Sequence, residues 1–179
     1  MEISPSFFLS MLSIYIFIFI VPVFIYIYKV EKTNPFEYLK LTKNSLKGIL
    51  IGTIVSLMLI GLLIIKNILI GSFHMNFNIG ILWISGMLVG FLEEIPVRGF
   101  LLQKLDSKYS FWTANLITTF IFTSLHIPTW INSGTNILQS SITTAMVSLA
   151  FGYLFKEYKS LWVTIICHSV FNLCIWIGL

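Results

Sequence analysis

Five ionisable side chains lie within or at the ends of stretches of sequence that are otherwise almost wholly apolar. Glu93, Glu94 and Arg98 fall in one such stretch, His126 ends the next, and His168 lies in the last. A charged group at the centre of a bilayer costs about 3 kcal/mol on insertion scales, so it persists where it is paired, faces a hydrated cavity or takes part in a reaction. Carboxylates and imidazoles are the groups that most often transfer protons in catalysis. These residues are therefore the candidate functional groups.

The two acids are predicted to have different partners. Glu94 and Arg98 are four residues apart, so they share a helical face, and an arginine–carboxylate pair out of water forms a structural clamp. Glu93 lies about 100° around the helix from Glu94, which leaves its carboxylate free to face another group. Pro96 removes the hydrogen bond to the Leu92 carbonyl and predicts a kink beside the acids. The alternative is that both acids belong to a structural ion-pair network.

The histidines admit two interpretations each. His168 and Asn172 are four residues apart and share a face, so they either connect helices through hydrogen bonds or stabilise a carbonyl oxygen that gains charge during attack. His126, at the end of an apolar stretch, is by itself more typical of an interfacial or core hydrogen bond. Gly86 and Gly90 form a small-xxx-small spacing that lets another helix approach closely just before Glu93.

The composition indicates how these groups are held in place. The 179 residues are 57% hydrophobic and only 10% charged, whereas a soluble domain has about 25% charged residues. The high apolar content also excludes a disordered chain. A helical crossing needs about 20 apolar residues, so the length suffices for about six crossings with short loops and no separate soluble domain. The runs are continuous rather than alternating, which favours helices over a barrel.

We therefore predict an all-α, polytopic membrane helix bundle that forms a single integral membrane domain over residues 1–179. The first span is read as retained, not as a cleaved signal peptide. The six predicted spans are Ser6–Tyr28, Gly48–Ile70, Ile79–Leu102, Ser110–Ile127, Ile137–Phe155 and Leu161–Leu179.

Apart from Lys66, near the end of the second predicted span, the lysines lie at alternate loops, between the first and second, the third and fourth, and the fifth and sixth spans. The loops Gly71–Asn78 and Pro128–Asn136 contain no lysine or arginine. The positive-inside bias then predicts that both termini face outward, in a multi-pass protein of the cell membrane. The formal charge of +4 is interpreted as an orientation signal and not as a nucleic-acid surface, so the expected partners are the lipid bilayer and a membrane-associated ligand.

Three motifs in order along the chain resemble one family. They are Glu93-Glu94-x-x-x-Arg98-Gly99, Phe122-x-x-x-His126 and His168-x-x-x-Asn172. Together they resemble the CPBP (Abi) family of membrane endopeptidases, which includes the CaaX prenyl proteases and proteins linked to bacteriocin processing and self-immunity. The resemblance covers about residues 83–173.

The resemblance implies a glutamic-type intramembrane peptidase without metal or cofactor. Glu93 would be the general base, with His126 as its partner in activating a water molecule. His168 and Asn172 would stabilise the oxyanion, and Glu94 and Arg98 would support the site. The implied substrates are CaaX-like prenylated peptides, bacteriocin leaders or other membrane-associated peptides, and no residue chooses among them.

Three alternatives remain open from the sequence. Glu93, His126 and His168 supply ligand types that suit zinc, although the chain has no His-Glu-x-x-His run. A non-catalytic immunity or interaction protein would keep the motifs for structure alone. A proton-coupled transporter could use an intramembrane carboxylate, but the two halves of the chain show no repeat.

Overall fold

Residues 4–179 are described by a computed structural model, and that part of the chain is helical without a β-strand. The all-α prediction is confirmed. The seven helices are α1 (Pro5–Glu31), α2 (Pro35–Tyr38), α3 (Ser45–Leu69), α4 (Leu82–Glu94, continued by Ile95–Leu102 and Gln103–Asp106), α5 (Phe111–Ser133), α6 (Ile137–Tyr158) and α7 (Leu161–Ile177). Two helices contain π-helical segments, at Ile16–Ile20 and Ile27–Glu31 in α1 and at Ile95–Leu102 in α4.

Helix ends follow local capping chemistry. The hydroxyl of Ser110 accepts a hydrogen bond from the Thr113 N–H at the start of α5, and the Asn136 side chain accepts one from Gln139 at the start of α6. Gly134 ends α5 in the left-handed region at φ +68°, a conformation that favours glycine. The element boundaries are thus explained by short-range signals.

Four of these helices continue past the predicted ends of their spans: α1 to Glu31, α4 to Asp106, α5 to Ser133 and α6 to Tyr158. α5 continues through Pro128 to Ser133 instead of ending at Ile127. A proline removes a single backbone hydrogen bond, and helices of membrane proteins tolerate that loss. α4 continues past Leu102 to Asp106, and Lys104 near its end forms an ion pair with Glu31 of α1.

The beginning of α7 lies inside the protein. Ser160 and Leu161 are both fully buried beneath the segment that follows α2. The Leu161 N–H donates to the Lys40 carbonyl at 3.1 Å, and the Trp162 indole donates to the Leu41 carbonyl at 2.7 Å. A Cβ atom at Gly99 of α4 would lie 3.2 Å from Leu161, so α7 begins level with Gly99 and not with the end of α4.

This buried start brings the motif residues to one depth. At 1.5 Å per residue, Glu93 lies about 20 Å from the end of α4, His126 about 22 Å from the start of α5, and His168 only about 10 Å from the start of α7. Because Leu161 is fully buried, α7 starts inside the bundle, which offsets the shorter distance between its start and His168.

α7 packs against both α3 and α4, and α5 packs against α6. A Cβ atom at Gly90 of α4 would collide with the Ile165 carbonyl and Ser169 of α7, and one at Gly52 of α3 would press on Val163 and Ile166. The close approach predicted for Gly90 is therefore present, and α7 is its partner. The apolar core consists of Val23, Ile27, Leu39, Ile95, Leu102, Phe111, Ala114, Phe155, Leu161 and Ile165.

Within residues 4–179, three helices are long and apolar enough to cross a membrane by length and composition: α1, α3 and α6. Apart from the short α2, the other helices are those that carry the motif residues. α4 contains Glu93, Glu94 and Arg98, α5 has many polar residues, and α7 has only 17 residues. A membrane protein built of helices is supported, and the six crossings with both termini outside remain a prediction.

The first half of α1 stands apart from the bundle. No residue of Pro5–Tyr15 is buried, whereas Val23 and Ile27 in the second half belong to the core. A space therefore remains between the first half of α1 and the facing helices α4 and α5.

Candidate functional site

An ion pair at the centre of the bundle fixes the acidic motif. Arg98 Nη1 donates to Glu94 Oε1 at 2.7 Å, and both side chains are fully buried. Arg98 Nη2 donates to the hydroxyl of Ser148 on α6 at 2.7 Å and to its carbonyl at 3.0 Å. The guanidinium carbon also lies 4.9 Å from the centre of the Phe122 ring and 5.7 Å from that of Phe151. One arginine thus connects α4, α5 and α6.

Glu94 also orients His168. The Nδ1 of His168 is 2.7 Å from Glu94 Oε1, the oxygen that accepts from Arg98. An ionised carboxylate can only accept hydrogen bonds, so the imidazole carries its proton on Nδ1 and donates it. The opposite nitrogen, Nε2, is consequently turned toward Glu93.

Glu93 faces two imidazoles. Its Oε2 lies 3.6 Å from His168 Nε2 and 3.8 Å from His126 Nε2. The Nδ1 of His126 lies 2.8 Å from the Phe122 carbonyl, which can only accept, so this ring also carries its proton on Nδ1. The two rings present the same nitrogen to the same carboxylate oxygen.

This arrangement gathers acceptors around one point. With Nδ1 protonated, each neutral imidazole has an acceptor at Nε2, and an ionised Glu93 oxygen is an acceptor as well. Glu93 Oε2 is buried and has no hydrogen-bond donor among residues 4–179. Buried polar atoms are nearly always hydrogen bonded, so the geometry suits a group that brings protons to this point, such as a water molecule. The site can therefore take up and release a proton.

The local helix geometry explains why adjacent acids face different groups. Glu93 and Glu94 are the last residues of the α-helical part of α4, and the π-helical segment Ile95–Leu102 follows them. Pro96 lies at its start and cannot donate to Leu92, where the sequence predicted a kink. π-helical turns are frequent at functional sites, and here one begins directly after the two acids.

A cavity of about 540 Å³ lies between α1, α4 and α5, with Glu93 and His126 in its wall. Its other lining residues are mainly apolar: Phe19, Pro96, Val97, Leu101, Ile121, Phe122 and Leu125, with Tyr15, Thr118 and Thr129. The volume falls within the range of about 300–1,000 Å³ that is typical of small-molecule pockets. Glu93 and His126 are 20% and 30% exposed, compared with 7% for His168.

Asn172 is the one motif residue that the structure does not connect to the others. It lies one turn beyond His168 on α7, is half-buried and does not line the cavity. Glu93, Glu94, Arg98, His126 and His168, in contrast, form one continuous set of contacts.

The sequence reasoning gave Phe122 no role beyond its place in the second motif, and it missed Ser148 and Thr119. Phe122 lies between Arg98 and both imidazoles, with ring centroids 4.5 Å from His126 and 6.0 Å from His168. Ser148 accepts from Arg98, and its hydroxyl lies 3.0 Å from that of Thr119. Small polar residues such as these in otherwise apolar helices were the available signal.

Within residues 4–179, no group of three His, Cys, Asp or Glu side chains is placed to hold a metal ion. The zinc alternative therefore has no supporting ligand cluster in this part of the chain, and its test is biochemical.

Comparison with known proteins gives one match. The family model for Type II CAAX prenyl endopeptidase Rce1-like proteins matches residues 75–174, which is more than half of the chain. This range contains all three motifs. No curated protein and no solved structure shows significant similarity to the chain.

Proposed function

We propose that this chain, which belongs to the Type II CAAX prenyl endopeptidase Rce1-like family, is a membrane endopeptidase in which Glu93 activates a water molecule for hydrolysis of a peptide bond. The observation that carries the proposal is the position of Glu93 Oε2. It lies within 4 Å of Nε2 of both His126 and His168 and is not hydrogen bonded to any other described residue.

In the proposed reaction, Glu93 acts first as a base and then as an acid. The carboxylate takes one proton from the water molecule, and the water oxygen forms a bond to the carbonyl carbon of the substrate. The carbonyl oxygen becomes an oxyanion. When the carbon–nitrogen bond breaks, the proton held by Glu93 passes to the leaving amine, so that the products are an amine and a carboxylic acid.

We assign His126 to orient the water molecule and His168 to stabilise the oxyanion. The Glu94 carboxylate at Nδ1 orients the ring so that Nε2 faces the point beside Glu93, and in the proposed step His168 donates to the oxyanion when it carries a proton at Nε2. Asn172 is the second proposed donor, because it lies one helical turn from His168 on the same face of α7. Arg98 and Glu94 act as positioning residues that hold His168.

We further propose a single membrane domain with six crossings and with the lysine-rich loops on the inner side. The two ends of the bundle support this assignment. The Asn76 N–H donates to the Ile177 carbonyl at 2.8 Å at one end, and the Asn44 amide donates to the Tyr158 carbonyl at 3.3 Å at the other. Loops predicted to share a side therefore meet.

The proposed substrate is a peptide held at the membrane by an apolar group. The cavity beside Glu93 is lined mainly by apolar side chains and opens between helices, so an apolar group could enter it from the bilayer. The family description specifies prenyl endopeptidases, and a farnesylated CaaX-like peptide is the first candidate to test.

The test uses purified full-length protein in lipid nanodiscs with a fluorogenic farnesylated peptide. Wild-type protein should cleave it, and Glu93→Gln should lower kcat by about 10²–10⁴-fold, the typical contribution of general acid–base catalysis. Glu157→Gln, at an exposed position on α6, is the matched control and should retain the wild-type rate.

Two results would contradict the proposal. The first is a Glu93→Gln variant with the wild-type rate, which would leave a non-catalytic interaction protein as the better interpretation. The second is loss of activity in excess chelator that returns with added Zn²⁺, which would favour the zinc alternative.

A further inference from the structure

Tyr15 separates two apolar cavities on the inner surface of α1. The larger is the 540 Å³ cavity that contains Glu93 and His126. The smaller, of about 240 Å³, lies toward the beginning of α1 and is lined by Phe7, Phe8, Met11, Leu12, Ser85 and Leu92. Tyr15 is the one residue within 4–179 that lines both. Its side chain therefore forms the partition between them.

The position of Tyr15 in α1 is well defined. It is the last residue of the α-helical part of the helix, directly before the π-helical segment Ile16–Ile20. Its ring packs on Phe19 with centroids 4.7 Å apart. Tyr15 lies outside residues 75–174, so the family match gives no information on it.

We propose that Tyr15 is a specificity-determining residue that limits the length of the apolar group a substrate can place beside Glu93. The inference rests on the proposed function, because it treats the larger cavity as the substrate site. The polar groups Glu93 and His126 lie in the wall of that cavity, and apolar side chains form most of the remainder. An apolar group attached near the scissile bond fills this remainder and, if long enough, meets the Tyr15 ring.

The smaller cavity is suited to receive a longer group once the ring is removed. Apart from Ser85 and Tyr15, its lining is apolar. Replacing Tyr15 with alanine removes the partition and connects the two cavities. A longer apolar group, which the wild-type protein excludes, would then enter the smaller cavity and pack against its apolar side chains.

The experiment measures kcat/KM for one peptide that carries a geranyl, farnesyl or geranylgeranyl thioether at the same cysteine. We expect Tyr15→Ala to raise the ratio of kcat/KM for the longest to the shortest group by about tenfold or more, since one methylene group in an apolar pocket already changes discrimination by about 10–200-fold. Tyr15→Phe keeps the ring and should keep the wild-type ratio.

Two further variants distinguish loss of the Tyr15 partition from a general enlargement of the cavity. Leu101 lines the larger cavity only, so Leu101→Ala should change the rates for all three lengths together and leave the ratio unchanged. Leu12 lines the smaller cavity only, and adding Leu12→Trp to Tyr15→Ala should fill that space and return the ratio toward the wild-type value.

The proposal is overturned if Tyr15→Ala and the wild type show the same length preference, or if Leu101→Ala shifts the ratio as strongly as Tyr15→Ala does. In either case the Glu93→Gln result still stands independently. If the wild-type protein cleaves the peptide and Glu93→Gln does not, the proposed function is supported even when the assignment of Tyr15 fails.

Discussion

His168 and Glu94 are joined by a buried 2.7 Å hydrogen bond between Nδ1 and Oε1, and the same carboxylate oxygen accepts from Arg98. The bond connects α7 to α4 next to the free carboxylate of Glu93. It fixes both the rotation of the imidazole and the nitrogen that carries the proton. Glu94 therefore acts on the site through His168 and does not contact the cavity itself.

Replacing Glu94 with glutamine should separate this positioning effect from packing. The amide has the same shape, and its oxygen would take the Oε1 position because that atom accepts from both Arg98 and His168, so the packing is kept and the negative charge beside the imidazole is lost. We expect kcat to fall by about 10²-fold or more, because a neutral amide holds the imidazole less strongly and stabilises positive charge on it less well during proton transfer. Steady-state kinetics with the farnesylated peptide measure this, and thermal unfolding of the same sample shows whether the variant is folded. An unchanged kcat in a folded variant would contradict the positioning role.

Replacing Arg98 with methionine should destabilise the protein strongly. The substitution leaves Glu94 as a buried carboxylate without its cation. Removing one partner of a buried ion pair lowers the free energy of unfolding by about 3–5 kcal/mol, which is about half of the total for many domains. Unfolding in detergent measures the change. Lys108→Met, at an exposed position, is the matched control and should alter stability by less than about 0.5 kcal/mol. Equal stability of the two variants would mean that the ion pair does not hold the bundle together.

The motif spacing predicted part of this site, and the depth of each helix determined the rest. The interval between Glu94 and Arg98 places the pair on one face and leaves Glu93 free, which follows from helix geometry alone. Periodicity within one helix contains no information on where a neighbouring helix begins. The buried start of α7 at Leu161, beneath the segment containing Lys40, depends on contacts between distant parts of the chain. The contribution of Tyr15 from α1 could not be predicted for the same reason.

Lys40 provides a test of electrostatics outside the membrane spans. Burial lowers the pKa of Lys40, and the nearby positive charges of Lys159 and Lys43 lower it further, with Asp106 opposing them. A lysine whose pKa is lower in the folded state destabilises the protein when it is charged, so its contribution improves only as pH rises through the folded pKa. Lys40→Met should therefore raise the Tm at neutral pH by up to about 4 °C, the shift that 1 kcal/mol gives in a chain of this size.

This gain should diminish as the pH approaches 10.5, where the amine of the wild type is also neutral. Unfolding curves at pH 7 and pH 10 measure the difference. A lower Tm for Lys40→Met at neutral pH would show that the contact of the ammonium with the Phe155 ring, at 4.8 Å from its centroid, outweighs the cost of burial.

The proposed topology predicts which introduced cysteines react with a membrane-impermeant reagent in intact cells. Ser72→Cys lies in a loop without lysine and should be labelled from outside, whereas Ser107→Cys lies in a lysine-bearing loop and should react only after lysis. Both positions are exposed. The native cysteines Cys167 and Cys174 are buried and should contribute little background. Labelling of Ser107→Cys in intact cells would reverse the orientation or reduce the number of crossings.

The link between Glu94 and His168 spans 74 positions of the chain. Because Glu93 and His126 precede His168 in the chain, the contacts of the two acids with the second imidazole can form only after α7 has been synthesised. The proposed hydrolysis uses both imidazoles and therefore depends on the last helix of the bundle.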